Sequence, residues 1–456
     1  FWLKPFVARV LRRRLFPFSL FLPVCFRSCQ SGGEVAMGSL FSSDASAPPE
    51  LREKAIAGFT KSFAAGDDEG KPTTLGVAPG RAEVVGNHTD YNEGLVLACA
   101  IDRFVVLAGR CAPEGSLKCR FASESFPDGI VEVDLAAAYA ESDGFTKIKQ
   151  VGKQAWANYL IGVVSELAKL DIKVCGFDTF VASDVPSGGG VSSSAALEMA
   201  TCKLLARLCP ESVGQLEALN LVKVSKAAEN NFVGMGCGIL DQYCSGMGRA
   251  NSLLCLDCRT VSHEIVPFSG AHFVLANTNA PHALVDGKYD ELRKNCFAAA
   301  EVLKKAMGDE AATHLRDVSV EALEKHKGAL TAEQLRHAMH IVHENRRVVE
   351  GVAACKAVDM VALGALLSES HASSRDSFQN SSRELDIMHR CAEGIEGHLG
   401  SRLMGGGFGG STINLVREDC LEGFMEELRK RYHAEVGIEP TIWALKPGDG
   451  AFSEDL

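Results

Sequence analysis

One thirteen-residue stretch restricts the fold more than any other. Between a β-like run at Phe177–Ala182 and a helical run at Ser192–Leu208, the chain reads Asp184-Val-Pro-Ser-Gly-Gly-Gly-Val-Ser-Ser-Ser-Ala-Ala196. Three consecutive glycines lack Cβ atoms, so backbone can approach a ligand closely there. A helix opening at the serines presents unpaired N–H groups and the positive end of its dipole. Strand, glycine turn and helix start together make a site for an anion such as phosphate. The serine hydroxyls add donors, and oxygen ligands for a hard cation such as Mg²⁺. The plain alternative is a flexible turn before a Ser-capped helix. The stretch lacks the Gly-Lys-Ser/Thr of a Walker A loop and the G-x-G-x-x-G of a dinucleotide fingerprint.

The rest of the pattern mixes strands and helices without strict alternation, which predicts the α+β class. Thr74–Val85 reads as extended and broken at Pro79-Gly80, and Leu95–Gly109 as strand. Helices are expected at Glu50–Phe63, Trp156–Leu170 and Gln215–Phe232. Short β runs follow at Ser252–Leu256, His263–Val266 and Phe273–Ala276. Beyond residue 285 helices are expected at Tyr289–Met307, Glu333–Lys356, Asp359–Ser370 and Glu384–Leu399. A glycine-rich stretch, Met404–Gly410, precedes a β run at Ser411–Val416. A helix at Leu421–Tyr432 and a strand at Thr441–Leu445 close the pattern.

A chain of 456 residues has room for two domains. We divide it into an N-terminal extension (1–36), a domain at 37–270 and a second at 271–456. The extension carries six basic side chains against the single acid Glu34, the composition of an organelle transit peptide. Translation starting at Met37 is the other reading, and Met37–Ser42 then fits a myristoylation pattern. The net charge of −11 argues against a nucleic-acid surface, and no window supports an integral membrane segment. The 16 cysteines are read as reduced thiols, which points to the cytoplasm unless residues 1–36 direct the chain to an organelle.

Three further segments carry a family resemblance. Ala78-Pro-Gly-Arg-Ala-Glu-Val-Val-Gly-Asn-His-Thr-Asp-Tyr-Asn-Glu-Gly94 resembles the galactokinase signature, and the serine stretch resembles the ATP loop of the GHMP kinases. Gly234-Met-Gly-Cys-Gly-Ile-Leu-Asp-Gln242 resembles the segment holding the galactokinase catalytic aspartate, and Met404–Gly410 the third GHMP motif. The motifs run in family order from about residue 50 to the end.

The resemblance implies the two-domain GHMP kinase fold, with a mixed-sheet N-terminal domain and a helix-rich C-terminal one. It also implies phosphorylation of the anomeric hydroxyl of galactose by ATP with Mg²⁺. Asp241 then accepts the proton of that hydroxyl, and Arg81 keeps Asp241 ionised and steadies charge on the transferred group. Arg81, Asn87, His88, Asp90, Gly238, Asp241 and Tyr289 contact the sugar. Pro186, Gly188, Gly189, Gly190, Ser192, Ser193 and Ser194 cradle the nucleotide. Ser193, or its neighbour Ser192, and Glu229 hold the metal. The expected partners are a small sugar and ATP, with no nucleic acid; the oligomeric state is left open, a monomer being compatible.

Two positions depart from the family signature, which usually has Asn where this chain has Glu83 and Glu where it has Asn87. In galactokinases the second position reaches the C6 hydroxyl, so Asn87→Glu is expected to lower the KM for galactose. The departure keeps open another sugar, such as arabinose, galacturonic acid or N-acetylgalactosamine. A non-catalytic sugar and ATP sensor is a third reading, opposed by the intact serine loop.

Overall fold

The computed structural model describes residues 47–64, 70–140, 148–281 and 287–456. The extension at 1–36 and the Met37–Ser42 pattern lie outside the described residues. Strand β1 (Thr74–Val85) is buried along its whole length, as its apolar composition demands. It anchors an eight-stranded mixed sheet in the order β12-β1-β2-β5-β3-β4, with β6 and β7 extending from β2. The other members are β2 (Leu95–Cys111), β3 (Lys118–Ser123), β4 (Val131–Asp134) and β5 (Phe177–Ser183), then β6 (Ser252–Asp257), β7 (Ser262–Pro267) and β12 (Phe452–Asp455). The β3–β5 pair is parallel and the other pairs are antiparallel.

Helix α1 (Pro49–Phe63) covers one face of this sheet, packing Leu51, Phe59 and Phe63 on Leu75, Val77 and Val106. The other face carries α2 (Asn158–Lys169), α3 (Ser193–Leu208), α4 (Ala218–Ala227) and α5 (Leu240–Met247). Helix α3 lies hard against β1: a Cβ on Gly76 would sit 2.4 Å from the Ala200 carbonyl oxygen. That close approach fixes where α3 begins, and so where its free N–H groups point.

Residues 272–445 supply a second, four-stranded antiparallel sheet, β11-β8-β10-β9. Its strands are β8 (His272–Asn277), β9 (His398–Leu403), β10 (Ser411–Val416) and β11 (Thr441–Leu445). Alternation along β8 sends Phe273 and Leu275 into the core shared with the first sheet. It sends Val274 and Ala276 towards α9 (Arg383–Ala392) and α10 (Leu421–Val436). Helices α6 (Lys288–Met307), α7 (Ala332–Lys356) and α8 (Met360–Ser373) complete this part. The class is α+β, as the sequence pattern predicts.

Three local expectations need correction. The stretch at 74–85 is one strand, with register shifts against β2 at Pro79/Arg81 and Glu83/Val85. The helix expected over Gln215–Phe232 is α4 followed by a π-helical turn at Ala228–Val233. The helix expected over Glu384–Leu399 stops at Ala392, because Gly394 and Gly397 take positive φ and turn the chain into β9. Strands β3, β4 and β12 were not legible. The last residues therefore return to the first sheet, pairing Thr74–Val77 with Phe452–Asp455.

Candidate active site

The glycine turn and Asp241 meet. Gly188, Gly190 and Ser192 have φ of 68°, 74° and 56°, so the chain coils through left-handed conformations before α3 starts. A Cβ on Gly188 would meet nothing within 4 Å, so the turn is open on that side. Ser192 makes no side-chain cap on α3. Its hydroxyl instead donates to Asp241 Oδ2. Gly80 is needed beneath the turn, where a Cβ would lie 2.6 Å from the Val191 carbonyl, and Arg81 N–H donates to that carbonyl at 3.0 Å.

Arg81 ties the two halves together. Its Nε and Nη2 both reach Asp241 Oδ1 at 2.8 Å, and Nη1 donates to the Gly190 carbonyl at 2.6 Å. Burial works against the guanidinium charge, but Asp241 and Glu83 outweigh it and shift its titration upward. Asp241 sits in the first turn of α5, which Ser245 pins to β1 through the Pro79 carbonyl at 2.7 Å.

Beside this pair opens a cavity of about 540 Å³. Arg81, Glu83, Asn87, His88, Asp90, Glu229, Gly238, Asp241, Tyr289 and Asp290 line it, together with Gly405 and Gly406. All the expected sugar-contact residues therefore share one space, although their free hydrogen-bonding capacity differs. Asn87 is fully engaged within the protein. Its Nδ2 donates to Glu83 Oε1 at 3.1 Å and to the Gly405 carbonyl at 2.7 Å. Its Oδ1 accepts from Asn380 Nδ2 at 3.0 Å and from Ser374 Oγ at 3.4 Å.

His88 is engaged too. Its Nε2 lies 3.2 Å from the Gly406 carbonyl, which can only accept, so Nε2 carries the proton. Nδ1 then accepts from the Tyr91 hydroxyl at 2.9 Å. Burial brings the His88 imidazole down to about 4, so the ring is neutral near pH 7. Tyr289 packs on this ring with centroids 5.1 Å apart.

Asp90 keeps a carboxylate towards the cavity. Burial, then the charge of Glu83, pushes it up to about 6. Gly238 has a steric reason to be glycine, because a Cβ there would lie 1.8 Å from Asp90 Oδ2. Glu229 stands in the π-helical turn at 228–233 and accepts from Gln242 Nε2, whose other partner is buried Glu198 at 3.1 Å. Burial, then the charge of Asp241, raises the Glu229 carboxyl, and a Ser194 hydrogen bond partly offsets that rise. Ser193 is the first residue of α3.

Several supporting groups carry no sequence signal, because their partners lie hundreds of positions away. Glu83 Oε1 also accepts from Arg402 Nη1 at 2.9 Å, and both residues are buried. Glu344 Oε1 accepts from the N–H groups of Gly86 and Asn87, at 3.0 and 3.1 Å, and from Ser370 Oγ at 2.7 Å. Burial favours neutral Glu344, yet Arg347 and His340 hold its carboxyl well below the usual range. The glycine stretch after β9 is kept in place from the same side. A Cβ on Gly407 would lie 2.0 Å from the Asn380 carbonyl, to which Phe408 N–H donates at 2.6 Å.

An open helix start facing a carboxylate paired with a buried guanidinium, with a sugar-sized cavity beyond it, defines a small-molecule kinase of the GHMP type. The family model for the GHMP kinases N terminal domain matches residues 158–249, and the galactokinase galactose-binding signature matches 58–111. The chain is 38% identical over 385 residues to a galactokinase of Roseiflexus sp. (strain RS-1), covering 83% of this chain and 92% of that protein. It is 35% identical over 404 residues to the galactokinase of Homo sapiens, covering 88% and 96%. The crystal structure of Lactococcus lactis galactokinase complexed with galactose superposes with a TM-score of 0.77 at 30% identity, covering 88% of this chain and 98% of that one. Methanococcus jannaschii mevalonate kinase, at 16% identity and a TM-score of 0.55, shares the fold. The chain belongs to the galactokinase family.

Proposed function

We propose that this chain transfers the γ-phosphoryl group of ATP to the anomeric hydroxyl of galactose, giving galactose 1-phosphate. The observation that carries the reading is the link from Asp241 through Arg81 and Ser192 to the start of α3, at the edge of the cavity. Pro186, Gly188–Gly190 and Ser192–Ser194 receive the triphosphate, whose charge suits free N–H groups and the helix dipole. Asp241 accepts the proton of the attacking hydroxyl, which is more acidic at the anomeric carbon than elsewhere on the ring. Arg81 steadies the charge that develops on the transferred group.

Glu229 and Ser193 suit a hard cation. They offer oxygen donors, and a buried carboxylate raised partly by a neighbouring negative charge gains from a cation. These two residues would hold Mg²⁺, which would supply neutralising charge to the phosphates. Asp90 and Tyr289 face the sugar hydroxyls, while His88 and Asn87 form the wall that positions them.

The cavity charge also selects among sugars. Among the described residues Asp90, Glu229, Asp241 and Asp290 line it against Arg81, while Glu83 is paired with Arg402, so a neutral sugar fits and a uronic acid is repelled. Among the described residues no helix is long and apolar enough to cross a membrane. The test is a coupled ADP-release screen over free sugars with protein starting at Met37. Galactose turnover well above that of arabinose, galacturonate and N-acetylgalactosamine is expected. Preference for one of those sugars, or sugar binding without turnover, refutes the reading.

A further inference from the structure

Three thiols that the phosphate chemistry leaves unused meet at the far end of α3. Cys111 closes β2, Cys175 lies two residues before β5, and Cys209 caps α3. The Cys175 sulfur touches both others, at 3.3 Å from Cys111 Sγ and 3.4 Å from Cys209 Sγ. Their backbones are fixed. Ala112 N–H donates to the Gly176 carbonyl, and Cys209 N–H to the Leu205 carbonyl, each at 2.8 Å. A Cβ on Gly176 would lie 2.5 Å from the Ser116 carbonyl oxygen, so the chain beside Cys175 has no room to shift.

The three sulfurs are not equivalent. Cys209 Sγ accepts from the Cys175 backbone N–H at 3.3 Å. Once Cys209 loses its proton, it can only accept, and the Cys175 thiol becomes a second donor to it. Those hydrogen bonds from Cys175, against the effect of burial, draw the Cys209 thiol down to about 7, while Cys175 is driven upward. Cys111 is exposed and the other two are half-buried, so solutes reach the cluster.

We propose that these residues form a peroxide-reactive thiol–disulfide site, with Cys209 attacking, Cys175 resolving and Cys111 exchanging. The Cys209 thiolate attacks one oxygen of hydrogen peroxide. The O–O bond breaks, and the departing hydroxide takes a proton to become water, leaving a sulfenic acid on Cys209. The Cys175 sulfur then attacks that sulfur, the S–O bond breaks, and the hydroxyl leaves with the Cys175 proton as a second water. Two electrons have passed from the two thiols to the peroxide, and one disulfide has formed. Cys111, in contact with Cys175, can take over the bond by exchange. A Cys175–Cys209 bridge encloses β5, the glycine turn and all of α3, so one covalent link encircles the whole phosphate-binding unit.

The test oxidises the reduced full-length protein with hydrogen peroxide, blocks remaining thiols with N-ethylmaleimide and maps peptides by mass spectrometry. A Cys175–Cys209 cross-linked peptide, lighter by two hydrogens, is expected before buried Cys99 or Cys244 is modified. In Cys175→Ser a dimedone adduct accumulates on Cys209. Cys209→Ser loses the cross-link, and Cys111→Ser retains it. Wild-type turnover of the reduced variants confirms that they fold. If a variant does not fold, the wild-type peptide map decides alone. Oxidation that begins at Cys111 and leaves Cys209 and Cys175 reduced overturns the proposal.

Discussion

Replacing Asn87 by Glu gives the residue most galactokinase signatures have at that position, and the structure predicts that this change alone is harmful. Asn87 Nδ2 donates to Glu83 Oε1 and to the Gly405 carbonyl. A carboxylate at position 87 has no donor for either. It leaves the part-buried Gly405 carbonyl without its partner and sets a second negative charge against buried Glu83, with Arg402 the cation already paired there. A lost partner of a buried polar group costs about 1–3 kcal/mol; with the Gly405 contact only part-buried, the lower part of that range, about 1–2 kcal/mol each, gives roughly 2–4 kcal/mol for the pair. The free protein relieves that cost by shifting the wall at 83–87, and galactose binding must restore it, so at about 1.4 kcal/mol per decade up to roughly 30- to 1,000-fold is lost in kcat/KM, seen largely in KM. The sequence alone predicts the opposite sign, a lower KM.

The paired change Glu83→Asn with Asn87→Glu restores one amide facing one carboxylate and keeps an acid near Arg402. It should therefore recover most of the loss. The assay is a four-corner mutant cycle in ADP release, with thermal unfolding of each protein. A coupling of about 2 kcal/mol between the two sites is expected. Additive effects, or a KM lowered by Asn87→Glu alone, would refute the reasoning.

Asp241→Asn removes the proton acceptor and half of the Arg81 pair. Turnover should fall by at least about 1,000-fold while nucleotide affinity, measured by calorimetry, stays within a few-fold. Asp90 is pushed up to about 6 in the free protein; ionised, it accepts hydroxyl hydrogen bonds through both oxygens, and protonation turns one of them into a donor. The KM for sugar should therefore be flat above that pH and rise as pH falls through it, and Asp90→Asn should abolish the dependence. In the same window, a carboxyl raised on folding binds its proton more tightly in the folded state. Its contribution to stability is thus greatest below the unfolded value near 4 and is lost as pH rises through 6. Gly238→Ala drives a methyl group into the Asp90 carboxylate. It should raise the KM for sugar about tenfold or more with little change in the nucleotide KM, and equal effects on both would contradict that steric account.

Local chemistry was the legible part. The glycine turn and serine helix start are read from adjacent residues, and Ser193 opens α3 in the structure. Alternation in β8 and amphipathic spacing in α2 likewise lie within single elements. The fixing of Asn87 was not legible, because Gly405, Asn380 and Ser374 lie about 290 to 320 positions away and are brought near only by the second sheet and α8. The π-helical turns at 228–233 and 374–378 carry no sequence signal either. Their sequences have ordinary helical composition, and the extra residue per turn reflects the packing that aims Glu229 and Ser374 inward. Strand β12 is not legible because Phe452–Asp455 is too short and polar to show alternation, and pairing with β1 is what orders it.

The direct check on the phosphoryl-transfer account is the position of the new ester bond. Protein is incubated with ATP, Mg²⁺ and galactose, and the product is examined by two-dimensional ³¹P–¹H correlation NMR. A phosphorus signal coupled to the anomeric proton is the predicted result. Coupling to the C6 protons, or release of inorganic phosphate alone, would contradict an attacking C1 hydroxyl beside Asp241.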